Sequence, residues 1–192
     1  MGEQQPAMTI TGLSAEDFNA LVQRYQQPLY AFLRGFVDHG EQARDLTQDT
    51  FAAAWRATQA GVSPFVAGAA DEERRRWLYS IAYRRAVDLL RRKQLVRWDT
   101  LDPIAETEGG NLPPFEDRVV EGDALRAALA ELSSQDVACL LLRVVHGFSA
   151  AEVGEIVGAS AEVITKRLSR ARQRLRAVYL RQNPSAAQER HR

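Results

Sequence analysis

From Ser14 onward the apolar residues Phe18, Leu21, Val22, Tyr25, Leu29, Phe32, Leu33 and Phe36 recur at three- and four-residue steps, tracing one stripe along a helix. Pro28 falls inside that stripe. A kink or a helix break is expected there, because proline donates no backbone hydrogen bond and crowds the preceding turn. Nowhere does period-two alternation with β-branched residues persist, so no strand is predicted. A second helix is expected from about Glu41 to Ala60 and a third from about Asp71 to Arg97, with Gly61, Pro64 and Gly68 in the irregular connection between them. The fold class is all-α.

Residues 99–122 interrupt the helical pattern, with Pro103, Gly109, Gly110, Pro113 and Pro114 set among acids, a composition suited to an interdomain linker that permits many orientations. Two small helical domains follow, 12–98 and 123–180, with a tail over 181–192. In the second domain, Ser133 with Asp136 and Ser149 with Glu152 each place a hydroxyl three residues before an acid, marking a helix start; only Ser149 with Glu152 is a strict capping box. The stripe Val137, Leu140, Leu141 and Val144 ends at His146-Gly147, where glycine can take the left-handed cap conformation. A short helix from about Ala150 to Val157, the turn Gly158-Ala159-Ser160 and a long basic helix from Ala161 to about Arg181, capped by Ser160, then make a helix-turn-helix.

The 25 basic and 25 acidic residues cancel overall but are strongly segregated. Residues 74–98 hold nine basic groups against one acid, residues 99–124 one against eight, and residues 160–192 nine against two. Two basic clusters separated by an acidic stretch suit two surfaces for a polyanion. The apolar content is ample for a core, which excludes a wholly disordered chain. No run approaches 18 apolar residues, and Met1 to Ile10 lacks a basic and then apolar leader. Neither export nor membrane insertion is expected, and lone Cys139, with no disulfide partner, agrees with the cytoplasm. His39, His146 and His191 are scattered, and no Gly-rich phosphate loop or metal-ligand spacing appears, so an enzyme, a metal or another cofactor is not expected.

On the last helix, Val163, Ile164, Leu168, Ala171, Leu175 and Val178 supply a buried side, while Lys166, Arg167, Arg170, Arg172, Arg174 and Arg176 crowd the remainder. Glu162, Val163, Thr165, Lys166, Ser169 and Arg170 occupy the first two turns, where side chains reach base edges in a major groove; Arg167 joins this DNA-binding set, and the later arginines are placed to meet phosphates. In the first domain the cations interleave with rings, as in proteins that hold single strands by stacking bases on aromatic side chains. Tyr79, Tyr83, Arg84, Arg85, Arg91 and Arg92 are the candidates there, whereas Trp77, Leu78, Ile81, Ala82 and Leu89 have the spacing of a core face. Arg84 can alternatively pair with Asp88.

Two blocks in fixed order carry a family resemblance. The first runs Ala43-Arg44-Asp45-Leu46-Thr47-Gln48-Asp49-Thr50-Phe51 to Trp55, then Trp77-Leu78-Tyr79-Ser80-Ile81-Ala82 and Asp88-Leu89-Leu90-Arg91-Arg92. The second runs from Leu132 to Leu142-Arg143, then Phe148-Ser149-Ala150-Ala151-Glu152-Val153 and Leu168-Ser169-Arg170-Ala171-Arg172 to Leu175. Together they resemble a sigma factor of RNA polymerase, of the compact extracytoplasmic-function (ECF) type in the sigma-70 family. The resemblance implies that the first domain binds core polymerase and recognises and melts the minus-ten element, and that the second reads the minus-35 element. It implies core contact through Asp45, Gln48 and Asp49, with the polymerase β′ and β subunits and promoter DNA as partners and an anti-sigma factor as inhibitor. By the same likeness, the acidic linker would thread near the polymerase active centre and RNA exit path. Arg84 stands where the family commonly has asparagine, and Glu162, Val163, Thr165 and Lys166 depart from its usual recognition helix, so promoter sequence does not follow from the consensus. A helix-turn-helix regulator that does not associate with core polymerase is the alternative.

Overall fold

Ser14 opens the first helix, α1 (Ala15–Leu33), in a computed structural model that describes residues 14–37, 39–61, 70–99 and 119–183. The Ser14 hydroxyl accepts the Asp17 N–H at 3.1 Å, satisfying one of the donors that a helix start leaves unpaired. Of the kink or break expected at Pro28, the break does not occur: α1 runs through the proline. Tyr25 and Leu29 on either side of it are buried on the same stripe as Phe32 and Leu33, and that packing offsets one missing hydrogen bond.

Helices α2 (Gly40–Gln59) and α3 (Asp71–Asp99) pack on α1 and on each other. The buried face of α2 includes Thr47 and Thr50, whose hydroxyls each donate to a carbonyl one turn back, Ala43 and Leu46, at 2.7 Å. Neither hydroxyl is left unpaired in the core, so these threonines are tolerated there. Rings close the far end of the bundle, Phe18 lying 4.9 Å from Trp55 and 6.4 Å from Phe51.

The second half comprises α4 (Val119–Ala130), α5 (Ser134–Leu140), α6 (Ala150–Val157) and α7 (Ala161–Gln182), with α4, α5 and α6 all packed on α7. The helix expected to reach His146 is α5 followed by a π-helical turn, Leu141–Val145, closed by the His146 N–H donating to the Leu141 carbonyl at 3.0 Å. Such turns accommodate one extra residue where packing demands it. The caps follow expectation: Ser133 opens α5, Gly147 takes a left-handed φ of 73°, Ser149 and Glu152 form a reciprocal capping box on α6, and Ser160 opens α7; Gly158, at φ 77°, also ends α6 in the left-handed region.

The two halves are joined by packing. α3 lies along α6, and the buried residues of both halves form one continuous core. Phe32 and Phe148 both stack against Tyr79, with centroids at 5.3 and 5.1 Å. Gly35 sits so close to the π-turn that a Cβ there would lie 2.3 Å from Leu141 Cδ1. The residues 100–118 of the acidic connection, residues 62–69 with Pro64 and Gly68, His191 in the tail, and the side chains of Lys93, Arg97 and Trp98 lie outside the described residues.

Candidate nucleic-acid interface

The turn between α6 and α7 fixes how the basic helix is presented. Gly154, buried on α6, accepts the N–H groups of Gly158 at 2.8 Å and Ala159 at 2.9 Å on its carbonyl, folding the chain back tightly enough for only three residues to separate α6 from α7. Ile164, Leu168, Ala171 and Val178 are buried and hold α7 in the core. Glu162, Val163, Thr165, Lys166, Ser169 and Arg170 are exposed together on its first turns, so the structure brings these six expected base-reading residues onto one surface. Val163 was expected also on the buried side; it is 47% exposed, because Ile164 beside it takes the core position. Its methyl groups suit contact with a thymine methyl. Lys166 pairs with Glu162 one turn back at 2.6 Å, an exposed bridge that an approaching phosphate or base edge can displace.

Arg167 is different from its neighbours. Its guanidinium turns inward to the buried carboxylate of Asp136 at 3.2 Å, and Arg174 reaches the other oxygen of that carboxylate at 2.9 Å. Phosphate contact by Arg167 is not available in this arrangement. Asp136 went unnoticed in the sequence beyond its place near a cap, since nothing local links it to an arginine 31 residues later.

On α3, Arg84, Arg91 and Arg92 are exposed and Arg85 is half-buried. Arg84 donates to the Ser80 carbonyl and hydroxyl, each at 3.1 Å, in place of the pair with Asp88 considered above. Tyr79 and Tyr83, expected to stack on bases, are instead core residues at 1% and 6% exposure. The second domain covers the flank of α3 on which they lie, so both flanks of this helix are buried. The Tyr79 hydroxyl meets His146 Nδ1 at 2.9 Å, and burial pushes that hydroxyl up to about 12. Burial, and then the charge of Arg75, push His146 down to about 4, which keeps the imidazole neutral at neutral pH. Trp77, expected in the core, is half-buried and packs against it.

Further residues missed in the sequence close this junction. Arg75 donates to the His146 carbonyl and lies 4.1 Å from the centroid of the Phe148 ring. Arg76 bridges Glu152 at 3.1 Å and Glu155 at 2.9 Å on α6. The signal was present as opposite charges, but their meeting depends on how the domains dock. On α2, Asp45, Gln48, Asp49 and Ala52 form an exposed stripe. Cys139 is buried, which pushes its thiol up to about 11. Among the described residues no group of three or more His, Cys, Asp or Glu is placed to hold a metal, and no helix is long and apolar enough to cross a membrane.

Comparison with known proteins matches the two halves separately. The family model described as Sigma-70 region 2 matches residues 21–66, and that described as Sigma-70, region 4 matches residues 122–175. The RNA polymerase sigma factor YlaC of Bacillus subtilis is 30% identical over 159 residues, 81% of this chain and 88% of that protein. The ECF RNA polymerase sigma factor SigE of Mycolicibacterium smegmatis is 25% identical, covering 89% of this chain and 65% of its own length. In fold, the chain resembles the sigma factor RpoE solved with the anti-sigma factor NepR from Bartonella quintana, with a TM-score of 0.70 at 24% identity over 85% of this chain and 97% of that one. Both regions in their order, on an all-helical architecture and with such a relative, place this chain in the sigma-70 family of RNA polymerase sigma factors, among those of ECF type.

Proposed function

We propose that this protein binds bacterial core RNA polymerase in the cytoplasm and directs transcription from a particular set of promoters, without catalytic chemistry of its own. The observation that carries this reading is the presence, in one chain, of a region 2 half with an exposed polar stripe on α2 and a region 4 half with its recognition helix exposed. A regulator that ignores polymerase would account only for the second. Domain 12–98 binds core through Asp45, Gln48 and Asp49 and engages the minus-ten element with Arg84, Arg85, Arg91 and Arg92. Tyr79 and Tyr83 join that contact only where the second domain has left α3. Domain 123–180 reads the minus-35 element with Glu162, Val163, Thr165, Lys166, Ser169 and Arg170. An anti-sigma factor is the proposed inhibitor, as the partner of the structurally similar RpoE suggests.

Run-off transcription with purified core polymerase on a promoter-fragment library tests this. Specific transcripts that require the protein support the reading; no transcripts, with no co-elution with core, would turn it toward the polymerase-independent regulator. Within that assay, Lys166→Ala or Arg170→Ala is expected to weaken upstream-element binding by about 1–3 kcal/mol, while leaving co-elution with core intact. The double variant Asp45→Ala, Gln48→Ala is expected to do the reverse. It reduces assembly with core at unchanged helical circular dichroism, because both side chains are exposed and bear no part of the packing.

A further inference from the structure

Asp136 is a carboxylate at 9% exposure with two arginines on it, and both come from the recognition helix. Oδ1 accepts from Arg167 at 3.2 Å and Oδ2 from Arg174 at 2.9 Å. The acid itself is firmly seated. Its N–H donates to the Ser133 hydroxyl at 3.2 Å, and the residues after it, Val137, Ala138, Cys139 and Leu140, are buried. Arg167 and Arg174 are seven positions apart, close to two helical turns, so they emerge on one face of α7 separated by about 10 Å along its axis. One fixed carboxylate gripping both limits rotation of α7 about its axis as well as sliding along it.

That rotation matters for reading DNA. Lys166 immediately precedes Arg167, and Arg170 follows it by three, so a turn of the helix that frees Arg167 re-aims both base-reading cations. The Arg167 guanidinium faces inward: its charge also acts on Tyr83 of α3 and Cys139 of α5, lowering each against the effect of burial. We infer that Asp136 is a positioning residue for upstream-element recognition, which orients α7 by clamping Arg167 and Arg174 and withholds both arginines from DNA phosphates. This rests on the reading that α7 enters a major groove. Phosphate contacts strengthen binding to every sequence alike, so withholding two cations lowers the background against which base contacts discriminate.

The test uses holoenzyme reconstituted from the full chain and core polymerase. Its affinity is measured over a salt series for a promoter fragment recovered by run-off transcription and for the same fragment with a scrambled upstream element. Asp136→Asn is expected to lower the ratio of the two affinities about ten-fold, the scale of one lost base contact. It is also expected to steepen the salt dependence on the scrambled fragment, because two freed guanidiniums reach phosphates. Arg167→Gln is expected to lower the ratio without that steepening, and the double variant to fall short of the sum. Arg174→Gln, at the more exposed arm of the clamp, gives a smaller change in the same direction and serves if Asp136→Asn does not fold. Opposite effects would overturn the clamp: cognate binding tightened by Asp136→Asn, and both fragments weakened equally by Arg167→Gln with a shallower salt dependence, would make Arg167 a phosphate contact. An unchanged ratio in every variant would overturn it too. If unaltered holoenzyme cannot tell the fragments apart, the upstream-reading assignment itself falls, a result distinct from either.

Discussion

Gly154→Val is expected to destabilise the second domain by about 3 kcal/mol, at the upper end of the usual cost of overpacking. A Cβ at this position would lie 2.4 Å from the Ala159 carbonyl oxygen, and that neighbour is backbone in the tightest part of the turn. Nothing there can swing aside; either α6 and α7 separate or the turn Gly158-Ala159-Ser160 is rebuilt. Valine adds two methyl groups beyond that Cβ. For a chain of this size the loss corresponds to a fall of about 6–12 °C in melting temperature. It should come with loss of upstream-element binding, since the α6–α7 angle aims Lys166 and Arg170. Gly158→Ala makes the contrast: a Cβ there meets open space, and only the positive φ of 77° opposes it, at about 1–2 kcal/mol. Thermal melting followed by circular dichroism ranks the two. Equal melting temperatures would mean that the turn yields easily and that Gly154 is replaceable.

What could be read from the chain divides by distance along it. The caps at Ser133, Ser149 and Ser160 were legible because in each a backbone N–H donates a hydrogen bond to a hydroxyl within one turn, and the residues involved are neighbours in sequence. The apolar stripe of α1 was legible for the same reason. Of the kink or break expected at Pro28 the break is absent because a local rule met a long-range force: the stripe continues past the proline, and the packing of Tyr25, Leu29, Phe32 and Leu33 outweighs one absent donor. The π-turn at Leu141–Val145 has no local signature at all; it adjusts the register so that Leu142 and Phe148 both enter the core.

The candidate site divides in the same way. The exposed first turns of α7 follow from its own periodicity, so Lys166 and Arg170 were found. Arg167 looked like its neighbours, and only Asp136, far away in sequence, distinguishes it. On α3 the arginines and rings of residues 74–85 have the composition of a stacking platform, which is also the composition of a helix wedged between two cores. Periodicity assigned Leu78, Ile81 and Ala82 to one buried side correctly. It gave no sign that Tyr79, Tyr83 and the stems of Arg75 and Arg76 would be covered from the other, because the covering surface belongs to the second domain, with His146, Phe148 and Glu152 some 70 residues on.

Tyr79 makes that difference measurable. A surface ring that stacks on DNA can be removed with little effect on folding; a ring at 1% exposure, packed on Phe32, Phe148 and His146, cannot. Tyr79→Ala is therefore expected to cost about 4 kcal/mol, the scale of removing a buried aromatic side chain. Tyr79→Phe keeps the packing and loses only the hydrogen bond to His146 Nδ1, at about 1 kcal/mol. The His146 ring has little to fall back on, since its Nε2 is already buried with no partner among the described residues. Because Tyr79 touches both domains, the alanine variant should also separate their unfolding. The unaltered chain, with one core, is expected to melt in a single cooperative transition, and Tyr79→Ala in two, the bundle of α1–α3 and the helix-turn-helix half unfolding apart. Differential scanning calorimetry reads this directly. A single unshifted transition in Tyr79→Ala would place the ring at the surface and restore it as a candidate for stacking on the promoter; a split and lowered one means that any use of Tyr79 on DNA requires His146 and Phe148 of the second domain to leave α3 first.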